Sequence, residues 1–223
     1  MTTKPRPAGR TFEAIAADAL RDTAQLREIY APPGEAAQHK AVDRIHDAAR
    51  AFIARSSLVF IASAGADGSC DVTPRGGPAG FVSVLDECTL AVPDATGNRR
   101  LDSMHNIVET GRAGLIFLVP GRPSTLRVNG RACVTTDPRL LEQLTAVGKP
   151  PRSAIVIDAE DVYQHCPKAL LRSDAWQPGN WLPEDAVPSS AEITLSHLNP
   201  RLPGLTLEQV RQDERESLLH RYE

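Results

Sequence analysis

Six short segments rich in apolar and β-branched residues crowd the middle of this 223-residue chain, and they limit the folds open to it. Turn-forming residues separate them, which is the pattern of β-strands. Two short helical stretches interrupt the series, too few to connect parallel strands in alternating βαβ units. The sequence therefore predicts a mainly β fold with about six strands in a barrel or sandwich. The predicted strands cover residues 58–64, 70–75, 88–92, 113–119, 125–135 and 154–166.

The joint between the first two strands favours antiparallel pairing. Residues 65–69 read GADGS, and an Asp-Gly turn suits a hairpin because glycine tolerates the positive φ that such a turn needs. One interrupting helix is predicted at about 98–110, with Gly111 as its stop, and the other begins at Asp137. In the first of these, the spacing predicts four inward side chains: Leu101, Met104, Ile107 and Val108.

Helical spacing also precedes the strands, over residues 11–30 and 35–55. After Cys166 the chain becomes rich in Pro, Trp and Ser, which predicts an irregular arm that packs through two tryptophans, Trp176 and Trp181. A last helix is predicted to start at Thr206, with Gln209 completing a capping box. We therefore divide the chain into three parts. They are an N-terminal helical extension (1–55), a barrel domain (56–176) and a C-terminal arm with a helix (177–223).

Composition limits the classes of partner. The formal net charge is −3, which argues against a general nucleic-acid or membrane-surface role. No apolar stretch resembles a signal peptide or approaches the roughly 20 residues that cross a bilayer, so a cytoplasmic protein is expected. The four cysteines stand singly, without the spacing of a metal or redox site, and three of them are expected to be buried.

Several catalytic signatures are missing from the sequence. It contains no GxGxxG after a strand, no glycine-rich loop ending in Lys-Ser or Lys-Thr, no GxSxG and no HExxH. These absences argue against the dinucleotide, P-loop, serine hydrolase and zinc peptidase classes.

Arg99 and Arg100 form the most informative pair, because they fall in the first turn of the predicted helix, where the backbone dipole is already positive. Two cations are favourable there if a phosphate lies between them and the free N–H groups. The alternative is a pair of solvated arginines that interact with Asp94 or Asp102. The residues alone leave both interpretations open.

Polar residues in three further segments are candidates for a ligand or catalytic site. Arg75 stands at a strand end before two glycines and could reach the same anion, or form a salt bridge at the rim. Thr125 and Arg127 share one strand face with Asn129, which suggests a ligand wall. Alternatively, Asn129 and Gly130 form a hairpin turn and Arg127 is exposed. His165 and Lys168 follow the last strand, as catalytic or as structural side chains.

Four stretches of this sequence, taken together, resemble the pyridoxamine 5'-phosphate oxidase-like flavoproteins, in particular a bacterial branch of FMN-dependent enzymes. They are TPRGGPAGF, AVPDATGNRRLDSMHNIVETGRAGLIFLVPG, TLRVNGRACVTTD and HCPKALLRSDAW, and the resemblance covers about residues 35–180. It implies an antiparallel split β-barrel that binds FMN, and a homodimer with the flavin at the subunit interface. It also implies an oxidoreductase that acts on a small molecule.

The resemblance assigns roles to individual residues. It places the flavin phosphate at Asn98, Arg99 and Arg100, where Arg100 replaces the usual lysine. The strand residues that it places beside the flavin are Val72, Thr73, Pro74, Arg75, Val92, Pro93, Thr125 and Arg127. It implies that His165 and Lys168, the candidate catalytic residues, and Trp176, a candidate flavin contact, come from the partner chain.

The sequence also departs from the vitamin B6 oxidases of this family. Their C-terminal Arg-x-His substrate element cannot be placed in this sequence, and residues 76–87 look like an insertion. Vitamin B6 oxidation is therefore disfavoured. The alternative to an oxidoreductase is a protein that binds flavin, deazaflavin or haem without turnover.

Overall fold

An antiparallel sheet of seven strands forms the centre of the fold. The strands are β1 (Leu58–Ala64), β2 (Cys70–Gly76), β3 (Ser83–Val84), β4 (Thr89–Pro93), β5 (Arg112–Leu118), β6 (Thr125–Thr135) and β7 (Ala154–His165). Their order in the sheet is β2-β1-β5-β6-β7-β4-β3. This computed structural model describes residues 11–95, 97, 99–144 and 149–220. The predicted antiparallel, mainly β fold of the split-barrel type with flanking helices is confirmed.

The two sheet faces differ because side chains alternate along each strand. One face is apolar and forms the main core with a helix, α5 (Asp102–Thr110), which contributes Met104 and Ile107. Leu101 and Val108 were predicted to point inward but are exposed, since α5 begins only at Asp102 and buries a narrow stripe. The strand residues that are fully buried in this core include Val59, Ile61, Leu115, Phe117, Val128 and Ile157.

A turn forms the first hairpin of the sheet, and one short strand, β3, was not predicted. The Gly65 N–H donates to the Ser69 carbonyl oxygen at 2.8 Å, and Gly68 has a φ of 84°, so the predicted Asp-Gly hairpin is confirmed. The two-residue strand β3 lies within the apparent insertion 76–87 and pairs with β4, which brings the total to seven strands.

A β-bulge interrupts the long antiparallel pairing of β6 with β7. The pairing register shifts between Asn129 and Gly130, both of which lie inside β6, so the alternative of a turn at these residues is wrong. A Cβ atom on Gly130 would lie 1.9 Å from the Asp158 carbonyl oxygen. The close approach of the two backbones therefore requires glycine at this position.

The described chain divides into two compact units between Lys40 and Ala41. The first contains three short helices, α1 (Phe12–Ala16), α2 (Thr23–Ile29) and α3 (Glu35–His39), and α4 (Asp47–Ile53) belongs to the second. The prediction of two long helices is thus wrong. Asp22 caps a new helix within the first predicted one. In the second, Val42 exchanges backbone hydrogen bonds with Val162 at 3.1 and 2.7 Å, and this extended pairing excludes a continuous helix.

Among the described residues, three α-helices follow the sheet: α7 (Lys168–Arg172), α8 (Ser190–Leu198) and α9 (Leu207–His220). Two short 3-10 helices lie between α7 and α8, at Pro178–Asn180 and Glu184–Ala186, and α6 (Pro138–Leu141) precedes β7. Thr206 and Gln209 form the predicted cap of α9. The arm is less irregular than predicted, because Ser189 starts α8 with a capping box. Trp176 packs as predicted through its Nε1–H, which donates to the Arg122 carbonyl oxygen at 2.9 Å, whereas Trp181 is exposed.

Two further sequence-based predictions concern exposure. The prediction of three buried cysteines is wrong, since Cys70, Cys133 and Cys166 are exposed and Cys88 is partly buried. Among the described residues, no helix combines the length and the apolar character needed to cross a membrane.

Candidate functional site

Arg75 projects from the edge strand β2 to the start of α5. Its Nη1 donates to the Thr73 Oγ1 at 2.6 Å and to the Pro74 carbonyl oxygen at 3.1 Å, and its Nη2 donates to the Ser103 Oγ at 3.4 Å. Ser103 is buried in the second position of α5. Arg75 therefore places a partly buried cation beside the first turn of this helix.

The start of α5 suits an anion. Leu101 takes the N-cap position with a left-handed φ of 60°, and no side chain of the described residues caps the helix. The first backbone N–H groups of a helix have no partner within it, and they carry the positive end of the dipole. Arg75 adds a full positive charge at the same place. Together these groups can bind a phosphate or a carboxylate.

Arg99 and Arg100 lie before the helix, which corrects the prediction that they form its first turn. Arg99 has a φ of 65°, and the left-handed residues at 99 and 101 delay the helix start to Asp102. Arg100 donates from its Nε to the Asp102 carboxylate at 2.8 Å, with 75% of its side chain exposed. This is the predicted alternative of an exposed arginine paired with Asp102. Asn98, the third residue of the predicted phosphate turn, lies outside the described residues.

Asp94 is a partly buried carboxylate near these cations. Its backbone N–H donates to the Ser153 carbonyl oxygen at 3.0 Å, which extends the pairing of β4 with β7 by one residue. Burial raises the pKa of Asp94, while the charges of Arg75 and Arg152 oppose that rise. We call Arg75, Asp94, Ser103 and Arg152 the α5 cluster.

A second set of polar residues lies on the opposite face of the sheet. Thr125 pairs directly with His165, and Arg127 pairs with Tyr163, so all four side chains share one face of β6 and β7. The Arg127 guanidinium carbon lies 5.3 Å from the centre of the Tyr163 ring, within the range of a cation–π interaction. We call Thr125, Arg127, Tyr163 and His165 the β6–β7 face.

Two buried atoms of the β6–β7 face have unmet hydrogen-bonding capacity. Within the described part of the chain, neither the Arg127 Nε nor the His165 Nδ1 has a hydrogen-bond partner. Leaving such an atom without a partner costs about 1–3 kcal/mol. A ligand or a second chain that covers this face could supply the missing partners.

The remaining predicted residues divide between the faces. Thr73 shares the face of Arg75, whereas Val72 and Pro74 point to the other side of β2, and Val72 is 65% exposed. Val92 is buried in the main core, and Pro93 is buried at the end of β4. Lys168 is exposed in the first turn of α7, and the Trp176 Nε1–H donates a hydrogen bond to the Arg122 carbonyl oxygen. The structure thus groups Thr73 and Arg75 with α5, and groups Thr125, Arg127 and His165 on the β6–β7 face.

A family model described as pyridoxamine 5'-phosphate oxidase matches residues 45–166, which is more than half of the chain. The chain belongs to the pyridoxamine 5'-phosphate oxidase family. The matched range contains β1 to β7, α5, the α5 cluster and the β6–β7 face, whereas Lys168 and Trp176 lie outside it. Among curated proteins, none matches the chain.

Solved structures with similar folds have low sequence identity to this family member. HupZ from Group A Streptococcus is 18% identical, with 54% of this chain and 93% of that chain covered and a TM-score of 0.45. A candidate pyridoxamine 5'-phosphate oxidase from Lactobacillus delbrueckii is 22% identical, with coverages of 55% and 95% and a TM-score of 0.43. An FMN-binding protein from Syntrophomonas wolfei is 12% identical, with coverages of 52% and 88% and a TM-score of 0.36.

Sequence reasoning did not assign four residues of these groups to a site. Ser103 was not considered, although a serine in the first turn of a helix beside arginines is a usable signal, and Asp94 was considered only as a partner of exposed arginines. Arg152 lies far from Arg75 in the chain, and only the pairing of β4 with β7 brings it near. Tyr163 could have been found, since it alternates with His165 along the last predicted strand.

Proposed function

We propose that this chain binds FMN and places the flavin phosphate at the start of α5. The observation that carries the proposal is the Arg75 guanidinium, held beside Ser103 at a helix start without a side-chain cap. A phosphate dianion would accept from the guanidinium and from the helix N–H groups together. Arg99 and Arg100 add exposed positive charge beside it.

The flavin ring is proposed to contact the β6–β7 face. The orphaned Arg127 Nε is a donor, and the isoalloxazine edge carries carbonyl oxygens and a ring nitrogen that accept. The unpartnered His165 Nδ1 can accept from the ring N–H or donate to a carbonyl oxygen, according to its tautomer. The residues present therefore fit a flavin, and Val72 and Pro74 extend the same face toward β2.

We infer a homodimer with the flavin at the subunit interface. The α5 cluster and the β6–β7 face lie on opposite faces of one sheet, so a second chain offers a direct way to bring both types of residue to one ligand. The sheet face that would be covered includes exposed apolar side chains, among them Val72 at 65% and Ile116 at 37%. Burying such a face is favourable.

We further propose that the protein is an oxidoreductase for a small molecule. FMN, when bound, would supply hydride or electron transfer. The chain's residues would anchor the phosphate through Arg75, orient the ring through Arg127 and favour the negative charge of reduction through Lys168. His165 would hold a proton at its Nδ1 near the substrate, as a general acid or base.

The test is to identify the bound cofactor. We expect the purified protein, or the protein reconstituted with FMN, to show flavin absorbance and to release FMN on denaturation. Reduction and reoxidation of the bound flavin by a small-molecule donor and acceptor would support the oxidoreductase. A Soret band, a released deazaflavin or a flavin that does not turn over would instead support the binding-protein alternatives.

Mixed dimers test the shared site. If each flavin uses Arg75 of one chain and Arg127 of the other, a dimer of Arg75→Ala with Arg127→Ala retains one intact site. Each homodimeric variant would then bind FMN weakly, and coexpression with two affinity tags would restore tight binding to one flavin per mixed dimer. No recovery in the mixed dimer would show that both arginines serve a site within one chain.

A further inference from the structure

A hydrogen-bonded amide and carboxylate adjoin the β6–β7 face. Asn129 lies two residues beyond Arg127 on the same side of β6, and it pairs directly with Asp161 of β7. The Asn129 Nδ2 donates to the Asp161 Oδ2 at 2.9 Å, and both residues are partly buried. The carboxylate beside the β6–β7 face therefore already has a neutral partner.

The Asn129 amide spans the width of β6. Gly114 of β5 pairs with Asn129 from the side opposite to Asp161, and a Cβ atom on Gly114 would lie 2.9 Å from the Asn129 Oδ1. The amide oxygen thus faces β5 and the amide nitrogen faces β7. The bulge follows at once, between Asn129 and Gly130, and such irregularities redirect the side chains that flank them.

Arg127 has a carboxylate within reach but does not pair with it. Arg127 is the diagonal neighbour of Asp161, because it pairs with Tyr163, two residues farther along β7. Diagonal neighbours are about 7–8 Å apart, a distance that long side chains can bridge. The guanidinium carbon instead lies 5.3 Å from the centre of the Tyr163 ring. The buried Arg127 Nε has no hydrogen-bond partner in the described part of the chain.

The other two carboxylates of β7 are paired with arginines. Asp158 and Glu160 form ion pairs with arginines of β6 and β5. Asp161 is the carboxylate of β7 nearest in register to Arg127, and it binds an amide instead. A charged donor forms stronger hydrogen bonds with a carboxylate than a neutral one does. Without the Asn129 amide, the Asp161 carboxylate would therefore favour the Arg127 guanidinium.

We propose that Asn129 is a positioning residue, which holds the Asp161 carboxylate away from Arg127 and so keeps the Arg127 guanidinium available to the ligand of the β6–β7 face. The inference rests on the proposed function for the identity of that ligand, the flavin ring. An ion pair between Arg127 and Asp161 would compete with the ring for the same donors. Asn129 prevents this competition without contacting the ligand.

The experiment measures FMN and riboflavin dissociation constants for Asn129→Ala in two backgrounds, by quenching of flavin fluorescence. With Asp161 present, we expect both flavins to bind about fivefold more weakly, the factor that a strong exposed ion pair supplies. With Asp161→Asn, no carboxylate competes, and Asn129→Ala should change affinity by less than about twofold. FMN and riboflavin should lose equally, because Arg127 is proposed to contact the ring and not the phosphate.

Two variants serve as controls. Asn180→Ala removes the same type of bond outside both site groups, from the Asn180 Nδ2 to the Asp174 Oδ2 at 3.0 Å, and it should leave flavin affinity unchanged. Gly114→Ala crowds the Asn129 amide without removing it, so it should give a smaller loss that Asp161→Asn also abolishes. Equal losses from Asn129→Ala in both backgrounds, or no loss in either, would overturn the proposal.

Unfolding of the ligand-free protein separates the inference from the function on which it rests. Denaturation of Arg127→Ala, Asp161→Asn and their combination gives the coupling between the two charges. This coupling should be small when Asn129 is present and should grow in the Asn129→Ala background. No growth, together with flavin binding that Arg127→Ala weakens, would overturn the inference alone. Flavin affinity unchanged by Arg127→Ala would overturn the proposed ring contact, and with it the ligand role of Asn129, whatever the coupling.

Discussion

Replacing Arg75 by alanine tests the proposed phosphate anchor directly. The guanidinium reaches Ser103 at the start of α5, and its remaining donors are available to an anion at that helix start. A hydrogen bond to a charged group contributes about 1.5–3 kcal/mol, so the loss of one corresponds to about a 30-fold weaker FMN affinity if its value is about 2 kcal/mol. Arg75→Lys keeps the charge but loses the planar fork, and we expect an intermediate loss.

Three controls test whether the loss is specific to the phosphate and to Arg75. Riboflavin affinity should change little, because riboflavin lacks the phosphate. Arg100→Ala should weaken FMN binding by less than about fivefold, because an exposed, paired arginine contributes about 0–1 kcal/mol. Arg112→Ala removes an arginine whose exposed ion pair with Glu160 lies outside both site groups, and it should leave FMN affinity unchanged.

The assay is a titration of the cofactor-free protein with FMN and with riboflavin, followed by fluorescence. Thermal unfolding of each variant without ligand checks that the fold is intact. Equal losses for FMN and riboflavin in Arg75→Ala would show that Arg75 supports the fold or the ring. An unchanged FMN affinity would remove Arg75 from the site and refute the reasoning that places the phosphate at α5.

Three further predictions concern the bulge, the end of β7 and the start of α7. Gly130→Ala should destabilise the protein by about 3 kcal/mol or more, because its Cβ would meet the Asp158 carbonyl oxygen at 1.9 Å. Gly179→Ala, whose Cβ would meet nothing within 4 Å, is the matched control, and equal denaturation midpoints would contradict the prediction. Lys168→Ala should lower the midpoint potential of bound FMN with little change in affinity, while His165→Ala should slow turnover more than it weakens binding. Potentiometry and steady-state kinetics on the FMN-loaded variants check both, and an unchanged potential in Lys168→Ala would leave that lysine a surface residue.

The strands were predictable from sequence because two local signals agree along them. Alternation marks β1 and β6, and the Asp67-Gly68 turn fixes the first hairpin. The second predicted N-terminal helix is interrupted by a nonlocal contact, because Val42 pairs with Val162 about 120 residues away in the chain. The cysteine prediction failed because small apolar residues near strand ends can lie on the outward face, as Cys133 does on β6.

The residue types of the candidate site were predictable from the sequence, but their separation onto two faces of the sheet was not. The family resemblance places the anchor at Arg99 and Arg100, which the sequence predicts to lie in the first turn of a helix. The structure favours Arg75 instead, because left-handed backbone at Arg99 and Leu101 starts the helix later and leaves Arg100 exposed beside Asp102. Such backbone conformations are rare for residues other than glycine, so sequence patterns do not predict them.

The strand register explains how residues distant in the chain can serve one ligand. Gly76 pairs with Leu58, Leu58 with Leu118, Leu118 with Thr125, and Thr125 with His165, so four neighbouring pairs form one row across five strands at one end of the sheet. Arg75 stands one residue from this row, on the face toward α5, while Thr125 and His165 point to the other face. The strands β2 and β6 are three strand spacings apart, about 14 Å along the sheet. A ligand within one chain would have to pass around the end of the sheet to contact both groups, whereas two chains could present them without this constraint. Recovery of FMN binding in the mixed dimer of Arg75→Ala and Arg127→Ala distinguishes these two arrangements.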